Sequence, residues 1–518
     1  MERFDAIVLG AGHNGLTAAN VLQSAGLRTC CLEKNHYAGG MSSTVEVMKG
    51  FRSEVAGSQQ FPIASAISDE LEFEKIPRAD LDVMSVALHG RGEPPLIQYR
   101  DPLRMFEHMN TVHGPELIEG MANLIGWTAA PGRALGRYEV RTEPKTYDEM
   151  YACATTESER AAITDMLFAS TTEILDRHFP DPERFAAIRG TLSFLAVNTT
   201  FKGPSTPGSA MALAFGLALP SDDAALTTKF KGGIGAVTEH LVERFQGRGG
   251  ELRLRAAVAG LSTEDGAVST VALADGTSVA APIVVSSLGV EYTLGLVSGI
   301  VPDALRQRLA RRDHRAAYIQ IHFALEALPQ YAPPYEELND PALQSTIGFF
   351  NSPEELQANW ERCAQGLVPE DPAVVFGVPT VNDPELAPPG KHVAAAFALW
   401  FPPGDTASSH SELAKEMTER VIAKITRFAP NFADIQIRHT TFTARHMASM
   451  FGAPDGDYCY GLIHPDQMGP HRPGPRGFRD LPHGVGGLYL GGAGCHGGPA
   501  ISYTPGYNAA HQAIDDLG

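Results

Sequence analysis

Gly10, Gly12 and Gly15 follow the order G-x-G-x-x-G, and Glu33 comes 18 residues after the last of them. Residues of these types at this spacing can hold the pyrophosphate and ribose of a dinucleotide. The first glycine permits a tight turn and the second lets a pyrophosphate approach the backbone. The third lets the following helix pack close on the preceding strand. Ala6 to Leu9 is the short apolar run expected of a buried parallel strand. The helix starts near Asn14 and turns its free N–H groups and positive dipole end toward the phosphates. His13 shapes the phosphate loop, and Gly26 ends the helix. A second strand, Arg28 to Leu32, delivers Glu33, whose carboxylate can accept hydrogen bonds from a ribose hydroxyl. A glycine-rich turn in another kind of α/β protein would not require that acid.

A second chemistry-bearing stretch closes the chain. Gly487 to Leu490 reads as a short strand, followed by Gly491-Gly-Ala-Gly494-Cys-His496-Gly-Gly498-Pro and by Tyr503-Thr-Pro-Gly506-Tyr-Asn508. A last helix is predicted from about Asn508 to Leu517. If the two terminal strands lie near each other in one sheet, both turns face one ligand. The last helix then aims its N-terminus at a second, anionic part of it. In a flavin that part is the pyrimidine edge, which becomes negative on reduction, so FAD explains both ends better than NAD alone. Oxidised FAD accepts a hydride at N5, while the protein positions the substrate C–H and shields it from water. No Ser/His/Asp arrangement or metal cluster stands out. The candidate acid/base residues are His496 and Tyr503. Each also has a plainer reading: His496 braces its loop, and Tyr503 packs or hydrogen-bonds against the flavin. Arg52 is a weaker candidate for a flavin or substrate contact, and Cys495 is the thiol that could tether a flavin.

The rest of the chain must position these groups. With 518 residues it can bury a large core and is expected to form two domains. A net charge of −19 argues against nucleic acid and against electrostatic docking on an anionic bilayer, but not against hydrophobic contact with a membrane. The first strand begins directly after Met-Glu-Arg-Phe, which leaves no room for a signal peptide. The longest apolar run, Ala210 to Leu219, is about half of what spanning a bilayer needs. A cytoplasmic location follows as the expectation, with peripheral membrane contact and oligomeric state left open. The six cysteines form no C-x-x-C and no zinc-like spacing, and no disulfide framework is expected.

Gly50-Phe51-Arg52-Ser53 reads as part of a polar loop near the cofactor. Leu71 to Tyr99 mixes strand-like pieces with turns, and Pro102 to Trp127 is helical. Ala129 to Asp148, rich in Pro, Gly and Arg, reads as an exposed connection. Helices are predicted over Thr155–Phe179, Ile188–Asn198 and Gly208–Leu219. The last two suit either plain core or the wall of an apolar substrate cavity. Lys231-Gly-Gly-Ile-Gly235 leads into a helix through Phe245. Strands follow at Leu252–Leu261, Val268–Leu273 and Ile283–Ser287, then at Ala316–Leu325, Val374–Val378 and His392–Leu399. An amphipathic helix spans Ser411–Phe428.

These residues together resemble the phytoene desaturase-like flavoproteins, in particular the branch with desaturase-type carotenoid ketolases and a vertebrate relative named for a pyridine nucleotide-disulfide oxidoreductase domain. The resemblance runs over nearly the whole chain. It includes Gly10 to Gly15, Leu32 to Lys34, Gly39-Gly40, Gly50 to Ser53, Thr206 to Ser209, Lys231 to Thr238, Leu386 to Gly390, Asp466 to Met468 and Leu488 to Asn508. It implies an α/β protein with a Rossmann-like FAD-binding domain of the glutathione reductase/amine oxidase type. That domain would be built from residues 1–75, 226–292 and 470–518, with a mixed sheet-and-helix substrate domain from 76–225 and 293–469. By position, Gly10, Gly12 and Gly15 would hold the FAD pyrophosphate, with His13 and Asn14 beside it. Glu33 would hold the adenosine ribose, next to Lys34. Gly39, Gly40 and Met41 would pass close to the cofactor, and Val258 would meet the adenine through its backbone. Gly492, Ser502 and Gly506 would lie near the ribityl chain and flavin ring. The implied activity is dehydrogenation of a hydrophobic small molecule, isoprenoid or cyclic. Ketolase, saturase or isomerase chemistry is the alternative on the same scaffold. A flavin-bearing interaction protein without turnover is the alternative of another class. Two departures stand out: His496-Gly-Gly-Pro499 replaces the family's His-Pro-Gly-Gly, and Tyr503 stands where a glycine is frequent. A tyrosine under the flavin would add bulk and a hydroxyl.

Overall fold

The computed structural model describes residues 1–518 except 59, 91, 219–226 and 403–406, and it leaves out the side chains of 407 and 408. Leu219, the end of one predicted helix, and the division at 225/226 fall outside the described residues.

Ala6–Leu9 is wholly buried because it is the middle strand of a parallel sheet. The order across that sheet is Leu488–Leu490, Ile283–Ser286, Ala6–Leu9, Thr29–Leu32 and Glu251–Arg253. Helices cover it, since parallel neighbours need crossover connections, and burial on both faces explains the apolar runs. Leu16 and Leu22 of helix His13–Ser24 pack there with Leu241 and Phe245 of Gly235–Gly247 and Ala509 and Ala513 of Thr504–Asp515. The C-terminal strand thus lies two places from the N-terminal one, which brings both glycine-rich turns to one edge. Beside this sheet, Glu2–Arg3, Ser278–Ala280, Ala267–Leu273 and Val258–Glu264 form a four-stranded meander.

A seven-stranded sheet makes the second body. Its order is Gln436–Phe442, Tyr318–Leu325, His392–Leu399, Ala373–Gly377, Ile347–Phe349, Val83–Leu88 and Leu96–Tyr99. Strand periodicity sorts its side chains. Ile319, Ile321, Phe323, Val374, Phe376, Ala394, Ala396 and Ala398 join Met417, Val421 and Ile425 of the covering helix Ala407–Phe428 in one core. The alternate residues Tyr318, Gln320, Val375, Gly377, Ala395 and Phe397 face a cavity on the other side.

Five expectations change. Gly50–Ser53 is not loop but the turn and second strand of a hairpin, Thr44–Met48 with Phe51–Glu54. Ala129–Asp148 is not an exposed connection. Helix Pro115–Leu135 takes its first part, with Ala130, Ala134 and Leu135 buried, and Arg137 just beyond is buried as well, so packing overrides the local Pro and Gly signal. The run Leu252–Leu261 divides into Glu251–Arg253 and Val258–Glu264 in different sheets, with Arg255 at φ 57 between them. The last helix begins at Thr504, four residues earlier than its sequence suggests. The span Thr155–Phe179 also divides, into Glu157–Phe168 and Thr171–His178. The second begins at a capping box made by Ser170 and Glu173. No helix among the described residues is long and apolar enough to cross a membrane.

A buried ion cluster ties the two bodies together. His314 Nδ1 lies 2.9 Å from Asp457 Oδ2 and its Nε2 lies 3.2 Å from Glu291 Oε1, which also receives Arg312 Nη1 at 2.8 Å. Burial alone would lower the histidine. Hydrogen bonds to Asp457 and Glu291 outweigh burial and raise it to about 9. A raised histidine stabilises fully below its unfolded value near 6.5 and loses that contribution as pH climbs through 9. Stability is therefore expected to fall by about 3 kcal/mol between pH 6.5 and 9.5. Thermal melts of His314→Gln beside the parent protein check this: the parent curve should slope downward across that window and the variant should be flat.

Candidate functional site

The helix His13–Ser24 begins at Gly12 with no side chain capping its first turn and no acid within it. Its first N–H groups are therefore available to a ligand. Gly10 (φ 88) makes the turn out of the strand. A side chain at Gly15 would meet Gly10 O at 1.9 Å, so the third glycine is what allows the helix to sit on the strand. Glu33, 6% exposed, accepts from the Ala11 N–H at 2.9 Å through Oε2 and from the Asn35 N–H at 2.9 Å through Oε1. It braces the glycine turn as well as presenting a carboxylate to the cavity.

One cavity of about 690 Å³ joins this turn to the face of the seven-stranded sheet. Its first part is lined by Gly10, Gly12, His13, Asn14, Glu33, Lys34, Gly39, Gly40, Met41 and Val258, so most of the predicted cofactor residues come together there. Lys34 Nζ donates to Ser449 O at 2.7 Å, so its charge is held at the rim. His13 Nδ1 lies 3.2 Å from Ser42 Oγ. Its Nε2 and Asn14 Oδ1 are buried without a protein partner. Burial holds the His13 imidazole at about 4, in its neutral form. These orphaned polar atoms, the uncapped helix and the glycine cradle fit FAD.

Gly15, Gly492, Ser502 and Gly506 do not line the cavity; they act through packing. A side chain at Gly506 would meet Asn14 O at 1.9 Å, and one at Gly492 would meet Leu288 O at 2.4 Å. The start of the last helix is thereby pressed against the start of the first. Ser502 Oγ donates to Gly497 O at 2.7 Å and steadies the turn.

His496 and Tyr503 also lie outside the cavity wall. His496 is 8% exposed, its Nε2 is 3.4 Å from Thr142 Oγ1, and burial holds it at about 4. Tyr503 takes a left-handed conformation (φ 61) as the residue capping the last helix, which explains why glycine suits that place. Its ring stacks edge-on against Phe73 and His13, and its hydroxyl donates to Gln60 Oε1 at 3.0 Å. Its bulk therefore fills the core beneath the turn and takes nothing from the cavity. Cys495 is buried with its thiol pushed up to about 12 by burial, and Arg52 is largely exposed near Glu239.

The second part of the cavity has an aromatic wall. Tyr318 and Phe397 pack at 4.4 Å, Tyr318 and Tyr458 at 4.7 Å, and Phe194 stacks on Phe350 at 4.6 Å. Phe194 and Phe215 come from the helices Ala186–Val197 and Ala210–Leu217, so these are cavity wall as well as core. Arg137, half-hidden in sequence within a Pro/Gly/Arg-rich stretch, is buried over the Phe215 ring at 4.2 Å and donates to Phe215 O at 2.5 Å. Glu54, Lys229, Gln320, Ser345 and Thr346 are further polar lining groups that sequence reasoning missed. The only signal was the polar residue inside an apolar strand in Tyr318–Leu325. No group of metal-ligating residues occurs among the described residues.

A family model described as flavin containing amine oxidoreductase matches residues 15–513. Pyridine nucleotide-disulfide oxidoreductase domain-containing protein 2 of Mus musculus is 26% identical over 99% of this chain and 94% of its own. Prolycopene isomerase 2, chloroplastic, from an Oncidium hybrid cultivar is 23% identical over 100% of this chain and 85% of its own. Among solved structures, putrescine oxidase bound to putrescine covers 99% of each chain with a TM-score of 0.62 at 16% identity, a likeness of fold.

Proposed function

The chain belongs to the flavin-containing amine oxidoreductase family, and on that ground we propose that it is an FAD-dependent dehydrogenase that desaturates a hydrophobic small molecule. The observation that carries this reading is the single cavity in which the dinucleotide cradle opens directly onto an aromatic wall. When bound, FAD supplies a two-electron acceptor. The chain's residues do the rest. Gly10, Gly12 and the uncapped helix start hold the pyrophosphate, with His13 and Asn14 beside it. Glu33 takes the adenosine ribose, Lys34 closes the rim, and Gly39, Gly40, Met41 and Val258 flank the cofactor. Gly15, Gly492, Ser502 and Gly506 set the approach of the two helix starts. Tyr318, Phe397, Tyr458, Phe194 and Phe215 exclude water and bind apolar substrate by area burial. In this division of labour residues 1–75, 226–292 and 470–518 serve the cofactor, and 76–225 and 293–469 serve the substrate.

His496 and Tyr503 are assigned as positioning residues, because neither reaches the cavity. Tyr503→Phe is expected to leave the flavin content and the rate of flavin reduction within about twofold of the parent. It should lower stability by about 1–2 kcal/mol, since Gln60 loses a buried donor. Flavin absorbance, stopped-flow reduction and denaturant unfolding read the three quantities.

The likeness to the Oncidium prolycopene isomerase favours isomerisation as a second reading on the same site. Anaerobic addition of apolar substrates to the purified protein separates the two. Stoichiometric bleaching of the flavin band supports dehydrogenation; altered double-bond geometry with the flavin left oxidised supports isomerisation. An unbleached flavin with every substrate recovered unchanged removes both.

A further inference from the structure

Lys229 and Glu54 line the cavity, and the roles above do not use them. Lys229 precedes the Gly232–Gly233 turn and reaches across to the seven-stranded sheet. Its Nζ lies 3.1 Å from Ser345 O, 3.1 Å from Ser345 Oγ and 2.6 Å from Thr346 Oγ1. Three acceptors about one nitrogen call for three N–H donors, which is the geometry of an ammonium. Each hydroxyl that accepts from Lys229 keeps its own proton to donate elsewhere, and both residues line the cavity. Glu54, 8% exposed, is an acid near enough to feel the Lys229 charge, without a direct ion pair to it. Its Oε1 accepts the Ile234 N–H at 2.9 Å, and burial pushes its carboxyl up to about 7 against the pull of Lys229. Asp383, the other acid facing Glu54, accepts the Gly232 N–H at 2.6 Å. Gly377 and Ala395, paired on neighbouring strands of the sheet, line the cavity. A side chain at Gly377 would strike Ser345 O at 2.8 Å, so the floor must stay low there.

A hydrocarbon placed here would bury two hydroxyl protons with no acceptor. A carboxylate would bring a further acid to a corner that already holds Glu54 and Asp383, and like charges there disfavour it. A neutral oxygen acceptor satisfies both hydroxyls and disturbs neither charge. Given the function proposed above, the geometry points to a subsite for the carbonyl oxygen of an otherwise apolar ketone, formed by the Ser345 and Thr346 hydroxyls with the Lys229 ammonium behind them. The donors hold the carbonyl and fix which carbons of the substrate lie along the aromatic wall.

Three matched probes test the subsite on the FAD-loaded protein: 2-undecanone, 1-undecene and decanoate. Binding is read by perturbation of the flavin spectrum and by thermal shift. The ketone is expected to bind at least about tenfold more tightly than the alkene, the effect of a hydrogen bond backed by a charge. It should also bind more tightly than decanoate. Thr346→Val and Ser345→Ala should each weaken the ketone and leave the alkene unchanged. Equal affinity for ketone and alkene, or decanoate binding tightest, overturns the subsite. So does an undiminished ketone preference in both variants. Loss of flavin from Lys229→Met would assign that corner to the cofactor and overturn it as well. These outcomes are separable from failure of the oxidoreductase reading: if other substrates bleach the flavin while the ketone shows no preference, only the subsite falls.

Discussion

Gly15→Ala is expected to bind FAD about a hundredfold more weakly than the parent, or to purify without it. The added carbon would lie 1.9 Å from Gly10 O and 2.7 Å from Ser287 Oγ. The nearest atom is backbone in the turn itself, so no side-chain rotation relieves the clash. Either the helix lifts off the strand or the Gly10 turn opens, and both displace the N–H groups that face the pyrophosphate. Overpacking of this kind costs about 1–3 kcal/mol or more, and about 2.7 kcal/mol is a hundredfold in affinity. The ratio of flavin to protein absorbance, and a reconstitution titration with FAD, measure the effect. Gly12→Ala is the informative companion. Its added carbon would meet nothing within 4 Å in the protein. A folded Gly12→Ala protein that loses FAD would therefore report contact with the ligand alone. If Gly15→Ala retains full flavin occupancy, the close helix–strand approach does not control the cradle.

Arg472→Met is expected to be the most destabilising single change in the C-terminal half, by about 5 kcal/mol, from several lost bonds of about 1–3 kcal/mol each. Arg472 is 1% exposed. It donates to Cys495 O at 3.1 Å, Gly461 O at 3.3 Å, Cys459 O at 3.4 Å and Ala493 O at 2.7 Å. Among the described residues no acid bonds to it. It is held by carbonyls, and burial pushes its guanidinium down to about 10. These carbonyls belong to two irregular segments, 459–461 and 493–495, that lie outside the helices and strands. Removing the guanidinium leaves several buried acceptors without donors. Arg472→Lys keeps the charge but cannot span four carbonyls, so it should recover only part of the loss. Denaturant unfolding of the FAD-loaded proteins would rank the three; stability of Arg472→Met within about 1 kcal/mol of the parent would show that water replaces the lost donors.

The contrast between these two residues shows what could be read without coordinates. Gly10, Gly12, Gly15 and Glu33 follow one strand and are linked by one helix and one further strand, so fixed chain geometry relates them and their spacing alone announces a dinucleotide. The same holds for the alternation in Tyr318–Leu325 and the helical period of Ser411–Phe428, which follow from local backbone repeats. Arg472 carries no such pattern. Its partners are brought to it by the fold, and its surroundings in sequence look like loop.

The site divides in the same way. From sequence, the first glycine turn and its acid were legible, and so was the nearness of the two terminal strands in one sheet as a condition for FAD. Tyr503 and His496 were visible as chemical types, but not their direction. The left-handed backbone at Tyr503 and the closeness of Gly506 to Asn14 turn that side chain into the core beneath the turn. Glu54, Lys229, Ser345 and Arg137 come from four separate stretches of chain, and hydrophobic periodicity does not mark any of them. Only the packing of the seven-stranded sheet against the dinucleotide cradle makes them neighbours of one cavity. What the sequence by itself determined was the cofactor, because cofactor contacts are set by local, repeating backbone geometry. The tertiary structure decided what lies opposite it, because that wall is assembled from residues hundreds of positions apart whose meeting depends on long-range packing.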